Sequence, residues 1–197
     1  MSDKPSYLGL LNAIAVAEGR AHAYLTAWAE TTKSDDVRAV LRKIAAREGE
    51  HAMTFGRRIN ELGYDVRPGD DDDAAAIALV TSDRSDLDKM ETLKLHRLDR
   101  GDKPDIFDDF FKDHSIDIAT GALLGRYIAE ERDSAQLFKQ CHALLKQAER
   151  GSSVDDDRLA SLERKVDALC GTVDQLCAAV TATDSGSNGS RTKARTK

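Results

Sequence analysis

Acidic side chains interrupt two stripes of apolar residues near the start of this 197-residue sequence. At helical spacing, Glu18 shares a face with Ile14 and Leu25, and Glu48 and His51 share a second apolar face. A buried carboxylate needs a partner, a proton or a cation, because an isolated buried charge is strongly unfavourable. Residues three apart on a helix are neighbours, so Glu48 and His51 are placed to approach one ion. These residue types therefore predict a metal site between two helices.

The elements that must position these side chains are two helices joined by a short turn. Ser34 is suited to cap the start of the second helix, and Gly63 is suited to end it. Glu18 and Glu48 are 48 − 18 = 30 residues apart, and the turn falls near residue 33. An antiparallel hairpin with this turn brings the two carboxylates to about the same level.

A third helix is predicted after a long connection over residues 64–82. Ser85 and Asp88 form a capping-box pattern that opens this helix, and a stop is expected near Gly101. Glu91 lies on its apolar stripe. The third helix therefore offers Glu91 as a further carboxylate.

A fourth helical stretch is predicted from Lys103 to Gly151. Unbroken, it would be about 70 Å long at 1.5 Å per residue, which is too long for a compact bundle. We therefore expect a break near residues 120–125.

Two adjacent acids, Glu130 and Glu131, offer alternative donors on this fourth stretch. An alignment of apolar stripes favours Glu131 as the counterpart of Glu48 and puts Ser134 where a histidine would follow. An alignment on Glu130 puts Asp133 there instead. With either alignment, a second Glu-x-x-His pair is missing.

The first half of the chain resembles the ferritin-like superfamily, in particular its rubrerythrin-type members, at Glu18 and over Arg47-Glu48-Gly49-Glu50-His51-Ala52. Such proteins are antiparallel four-helix bundles that hold two irons between a Glu on each of two helices and a Glu-x-x-His on each of the others. The resemblance implies two iron ions bound by Glu18, Glu48, His51, Glu91 and Glu131. It also implies ferroxidase or peroxidase chemistry, in iron handling or in defence against oxidative stress.

A different pattern begins after Gly151. Apolar residues recur at alternating spacings of three and four from Leu159 to Val180, with Val mostly at one core position and Leu at the other. This heptad pattern favours a parallel two-stranded coiled coil. We expect the chain to form a homo-oligomer, a dimer or larger, through residues 159–180. Cys170 and Cys177 flank the seam one heptad apart and fit simple packing.

The sequence as a whole predicts an all-α protein with three regions. Residues 1–151 form a ferritin-like antiparallel four-helix bundle, and residues 152–181 form a coiled-coil helix for oligomerisation. Residues 182–197 form a disordered tail, which is rich in Ser, Gly and Thr and basic at its end.

Composition and charge argue against several other classes of function. The net charge of −6 does not suit a dedicated nucleic-acid binder, which needs a basic surface. No apolar run is long enough to span a membrane, and no secretory signal is seen at the start. Three cysteines without metal-type spacing fit free thiols in a reducing cytoplasm. Nucleotide-binding glycine loops are absent.

A second interpretation comes from a different class of protein. Because the second half of the metal pattern is incomplete and the heptads are strong, the bundle is also consistent with a non-catalytic oligomeric scaffold or adaptor. Such a protein would engage a partner through its coiled coil or its basic tail.

Overall fold

The computed structural model describes residues 4–69, 73–98, 107 and 109–186, and it leaves out the side chains of residues 111, 152–157 and 176–186. Within these residues the chain is all-helical, as the sequence predicts, and carries no strand. The α-helices are α1 (Leu8–Thr31), α2 (Asp35–Glu61), α3 (Ala74–Val80), α4 (Asp86–Thr92) and α5 (Ile118–Gly186). Short 3-10 turns lie at Leu95–Arg97 and Phe110–Lys112. The chain divides into two compact units, Met1–Lys146 and Gln147–Lys197.

Helices α1 and α2 form the predicted antiparallel hairpin. The Ser34 hydroxyl accepts a hydrogen bond from the backbone N–H of Val37 at 3.3 Å and so caps α2. Gly63 ends α2 with a positive φ of 85°, and the next N–H, of Tyr64, returns to the carbonyl of Ile59. This Schellman motif satisfies the carbonyls of the last turn of α2. Local sequence signals therefore set both ends of this helix.

The third helix starts where predicted but is much shorter than expected. The Ser85 hydroxyl accepts from the N–H of Asp88 at 3.1 Å, which confirms the predicted cap. Helix α4 nevertheless ends at Thr92, and Lys94 adopts a left-handed conformation with φ of 59°. The predicted helix to Gly101 is therefore wrong over its described part. An arrangement of four antiparallel helices stays a prediction.

The fourth helix begins later than the sequence indicates. Helix α5 starts at Ile118, and the carboxylate of Asp117 caps it by accepting from the N–H of Thr120 at 3.0 Å. The same carboxylate accepts from Arg58 at 2.9 Å and from the Tyr7 hydroxyl at 2.7 Å. Residues 113–117 are not helical, so the break precedes the expected positions, and the predicted start at Lys103 lies outside the described residues.

Two clusters of buried apolar residues fill the first unit. The first cluster includes Trp28, Leu41, Ile44 and Phe138, and the second includes Leu11, Phe55, Ile59 and Leu124. On α1, α2 and α5 alike, a glutamate separates residues of one cluster from residues of the other. These glutamates are Glu18, Glu48 and Glu131. The first unit therefore holds a layer of carboxylates between two apolar regions.

In the second unit, the described residues continue α5 to Gly186. The heptad residues Leu159, Leu162, Val166, Leu169 and Val173 are each more than half exposed. The helix includes residues 182–186, which the composition assigned to the tail, whereas the basic end of the tail lies outside the described residues. Among the described helices, none combines the length and the apolar character needed to cross a membrane.

Candidate metal centre

Three helices bring four potential metal ligands together. Helix α1 supplies Glu18, α2 supplies Glu48 and His51, and α5 supplies Glu131. One ligand atom from each of these residues lies within 4.8 Å of the others. Glu18, Glu48 and His51 are buried, and Glu131 is partly exposed. We call these four residues the donor group.

Small residues beside the two glutamates let α1 and α2 approach closely. The Cβ of Ala52 lies 3.9 Å from the position that a Cβ would take on Gly19. A Cβ on Gly49 would lie only 3.0 Å from Nδ1 of His22. That imidazole is held in place because its Nδ1 lies 2.7 Å from the carbonyl oxygen of Ala45. The two helices are therefore in close contact at the level of the donor group.

The imidazole of His51 is oriented by a carboxylate outside the donor group. Its Nε2 lies 2.7 Å from Oε2 of Glu130. Its Nδ1 faces Oε1 of Glu131 at 3.6 Å, and Oε2 of Glu18 and of Glu48 at 3.9 Å each. These Nδ1 distances are too long for hydrogen bonds. A metal-binding histidine commonly donates a hydrogen bond from its other ring nitrogen to a carboxylate. The contact of Nε2 of His51 with Glu130 fits this arrangement.

Two buried atoms of the donor group have no hydrogen-bond partner within the described structure. They are Nδ1 of His51 and Oε1 of Glu131, which face each other at 3.6 Å. Buried polar atoms are normally hydrogen-bonded, so such a pair calls for an explanation. A cation bound between them would satisfy both atoms, and the donor group therefore fits a metal ion.

The carboxylates of the donor group compete for protons in the absence of a cation. Burial raises the pKa of Glu48, and the charges of Glu18 and Glu131 raise it further. Burial and the charge of Glu18 raise the pKa of Glu131 to about 7, against the lowering effects of His51 and Arg47. Burial also opposes ionisation of Glu18, but His51, Glu48 and Tyr127 together lower its pKa. The group therefore retains protons at pH values where exposed carboxylates have lost theirs.

The imidazole supplies positive charge to the same group. Burial alone would lower the pKa of His51, but the surrounding carboxylates of Glu18, Glu48 and Glu130 raise it to about 10. A metal ion can bind Nδ1 only after the proton on that nitrogen leaves. Metal binding at this group therefore releases protons.

Tyr127 is a member of the site that the sequence analysis did not single out. Its hydroxyl donates to Oε1 of Glu18 at 2.8 Å, and its ring meets the His51 ring edge to face at 5.0 Å. Burial and the charge of Glu18 raise the pKa of this hydroxyl. Its position four residues before Glu131 on α5 was the available signal, because such residues share a helix face.

The second half of the predicted site is organised around Arg47 rather than around a second histidine. The Arg47 guanidinium donates to Oγ of Ser134 at 3.2 Å and pairs with Asp133 at 2.5 Å. It also donates to the backbone carbonyl of Glu130 at 3.3 Å. Both positions that the sequence offered for a second histidine are therefore in contact with a fixed positive charge.

Glu91, predicted as a further ligand, lies outside the donor group. Its Oε1 is 2.9 Å from Nε2 of His142 and 3.2 Å from Nζ of Lys146. The carboxylate is exposed, and the hydrogen bonds from His142 and Lys146 lower its pKa. The structure thus brings together Glu18, Glu48, His51 and Glu131 but not Glu91, and it gives Glu130 a separate contact with His51.

Comparisons with known proteins identify no relative of this chain. No family model matches the chain, and no match was found among curated proteins or solved structures. The resemblance to ferritin-like proteins therefore depends on the residues of the site alone.

Proposed function

We propose that the protein binds one iron ion through Glu18, Glu48, His51 and Glu131 and oxidises ferrous iron. The observation that supports this proposal is the pair of buried, unpartnered atoms, Nδ1 of His51 and Oε1 of Glu131, among convergent carboxylates. Three carboxylates and one imidazole form a donor set that suits iron, because carboxylates favour hard cations and imidazole favours first-row transition metals. Ferrous iron held by these residues would give one electron per ion to oxygen or peroxide and become ferric.

The chain's own residues have distinct roles in this proposal. The three carboxylates offset the charge of the cation, and His51 contributes its Nδ1 while Glu130 holds its Nε2. Tyr127 holds one oxygen of Glu18 and leaves the other turned toward the group. The apolar clusters on either side lower the local dielectric and strengthen the attraction between cation and carboxylates.

We propose one ion rather than the two that the resemblance implies. A second ion would need donors near Ser134, where the positive charge of Arg47 stands, and Glu91 is engaged elsewhere by His142 and Lys146. Asp133, the nearest carboxylate to Ser134 on α5, is already paired with Arg47, so a second cation would have to compete with Arg47 for it. The metal content per chain therefore distinguishes the two possibilities.

The test is an anaerobic titration of the full chain with ferrous iron, followed by desalting and metal analysis. We expect one ion per chain, a large loss in Glu48→Gln and no loss in Glu50→Gln. Glu50 is a matched control because it lies two residues away on α2 and its exposed carboxylate pairs with Arg126 at 2.6 Å. Exposure of the loaded protein to oxygen or peroxide should then give ferric iron faster than iron in buffer.

Equal metal content in wild type, Glu48→Gln and Glu50→Gln would contradict the binding site. Bound iron that oxidises no faster than free iron would leave a metal site without the proposed activity. Tighter binding of calcium than of ferrous iron would contradict the choice of a transition metal.

The exposed heptads favour an additional function for the second unit, which is to join two copies of the chain. A single helix that exposes Leu162 and Leu169 is expected to bury them against a partner helix. In a parallel dimer, Arg158 and Glu163 occupy the flanking positions that meet across the seam, and their opposite charges attract. We propose this parallel pairing, whether the first unit is an enzyme or a scaffold.

Sedimentation of the full chain tests the pairing. Leu169→Asp should convert a dimer to a monomer, whereas Leu144→Asp should not, because Leu144 is exposed on the same helix but off the heptad seam. A monomeric wild-type chain, or dimers of unchanged strength in Leu169→Asp, would contradict it.

A further inference from the structure

A pocket of about 340 Å³ opens directly beside the donor group. Glu18, Glu48 and Glu131 form part of its wall, together with other residues of α1 and α5 and residues of α3 and the 3-10 turn at Leu95–Arg97. Ligand pockets are commonly about 300–1,000 Å³, so this one lies at the small end of that range. An apolar cavity of about 150 Å³ is enough to hold benzene, so the pocket has room for a molecule larger than a single ring.

Apart from the donor group, most of the wall is apolar. It includes Ala21, Leu25, Leu95, Leu98 and Phe138. The charged residues away from the donor group are Arg20 and Asp73, and they form an ion pair with each other. Because their charges offset one another, the wall away from the carboxylates favours a neutral molecule over a charged one.

We propose that this pocket binds a small, neutral, largely aromatic or aliphatic organic molecule against the donor group. The carboxylates disfavour an anion there, and the paired Arg20 offers no excess positive charge to offset them. That the ligand lies beside a bound metal, as a substrate would, depends on the proposed function. Binding in the pocket does not depend on it.

The experiment is a titration of the full chain with indole, followed by NMR of methyl-labelled alanine and leucine. We expect shifts at methyl groups in the wall, such as Ala21 and Leu95, and none at Leu11 and Leu124, which belong to the other apolar cluster. No saturable shift, or equal shifts in both clusters, would overturn the proposal.

A pair of matched variants tests the location. Ala17 lies in the pocket wall and Ala13 does not, although both are exposed on α1 and lie one turn apart. Ala17→Phe should weaken indole binding at least tenfold, and Ala13→Phe should leave it unchanged. Equal affinity in the two variants would overturn the assignment to this pocket.

Two further measurements separate this proposal from the proposed function. Indole-3-carboxylate, an anionic analogue, should bind more weakly than indole because the carboxylates of the donor group repel it, and tighter binding would overturn the proposal. Iron content is measured on the same samples. If the protein binds iron but not indole, the pocket proposal alone is overturned. If it binds indole but not iron, the pocket proposal is supported and the metal proposal is overturned.

Discussion

Two groups of carboxylate and imidazole lie in the first unit, and they have opposite surroundings. In the donor group, the carboxylates of Glu18 and Glu48 are buried, and Nδ1 of His51 has no hydrogen-bond partner. In the other group, Glu91 is exposed to water and contacts both His142 and Lys146. In each group a histidine lies beside a glutamate that the sequence places on an apolar stripe.

The difference lies in how the negative charge is compensated. Glu91 is exposed to solvent, and its hydrogen bonds with His142 and Lys146 lower its pKa. In the donor group, burial and neighbouring carboxylates raise the pKa of Glu131 to about 7. A cation would therefore gain more from the donor group, where charge is desolvated and incompletely paired, than from Glu91. Burial and unpaired atoms thus distinguish a candidate metal site from a surface ion pair.

Replacing one carboxylate in each group is the sharpest test of this comparison. Glu131→Gln should weaken metal binding by more than about 100-fold, because a direct ligand contributes more than the residues that orient it. Glu91→Gln should leave metal affinity unchanged. Calorimetric titration with the metal alone measures both. Equal losses in the two variants would show that the groups do not differ in the way proposed.

Glu130 tests whether orientation of His51 matters to the donor group. Glu130→Ala should weaken metal binding by about 10–100-fold, because Nε2 loses the carboxylate that holds the ring. Glu130→Gln should lose less, since its amide oxygen can still accept from Nε2. The same calorimetric titration gives both values, and an alanine variant with full affinity would mean that ring orientation is set by packing alone.

The stability of the metal-free protein should depend on pH because of Glu131. Its pKa rises from 4.5 to about 7 on folding, so the folded state holds more protons than the unfolded state between these pH values. The stability that the protonated Glu131 contributes is fully present below pH 4.5 and is lost as the pH rises through about 7. The free energy of unfolding of wild type should therefore fall with rising pH in this window, by on the order of 1 kcal/mol per pH unit relative to Glu131→Gln. Urea unfolding of both proteins at pH 5, 6 and 7 measures the difference.

A flat difference between wild type and Glu131→Gln across these pH values would contradict the shifted pKa. Glu91→Gln provides the control, because the pKa of Glu91 is lowered rather than raised and brings no loss of stability in this window.

Sequence reasoning located the first part of the donor group because that part depends on local signals. The cap at Ser34, the stop at Gly63 and one short turn fix the register of α1 against α2. The spacing of 30 residues between Glu18 and Glu48 then determines that they lie at one level. The stripe alignment selected Glu131, whose carboxylate joins the same group.

The remainder could not be derived because it depends on where helices stop. The apolar stripe around Glu91 continues to Leu98, but the backbone leaves the helix after Thr92. The sequence offered Glu130 and Glu131 as alternatives, but both contact His51: Glu130 lies at Nε2 and Glu131 faces Nδ1. Hydrophobic periodicity shows which residues share a face of a helix. It does not show which other helices that face contacts, or which carboxylate lies at each nitrogen of a histidine ring.

The smallest effect concerns the backbone beside the donor group. Gly125→Ala should stabilise the protein by about 0.5–1 kcal/mol, because alanine favours the helix and a Cβ there meets no neighbour within 4 Å. Gly49→Ala should lose this gain, since its Cβ would lie 3.0 Å from Nδ1 of His22. The His22 ring must then give way by a few tenths of an ångström, and because its Nδ1 contact with the Ala45 carbonyl resists this movement, we expect α2 to shift away from α1 and to carry Glu48 away from Glu18. Gly49→Ala should therefore also weaken metal binding while Gly125→Ala does not, and urea unfolding with calorimetric titration separates the two effects. Equal metal affinity in both variants would mean that the donor group tolerates a wider separation of α1 and α2 than its compact geometry indicates.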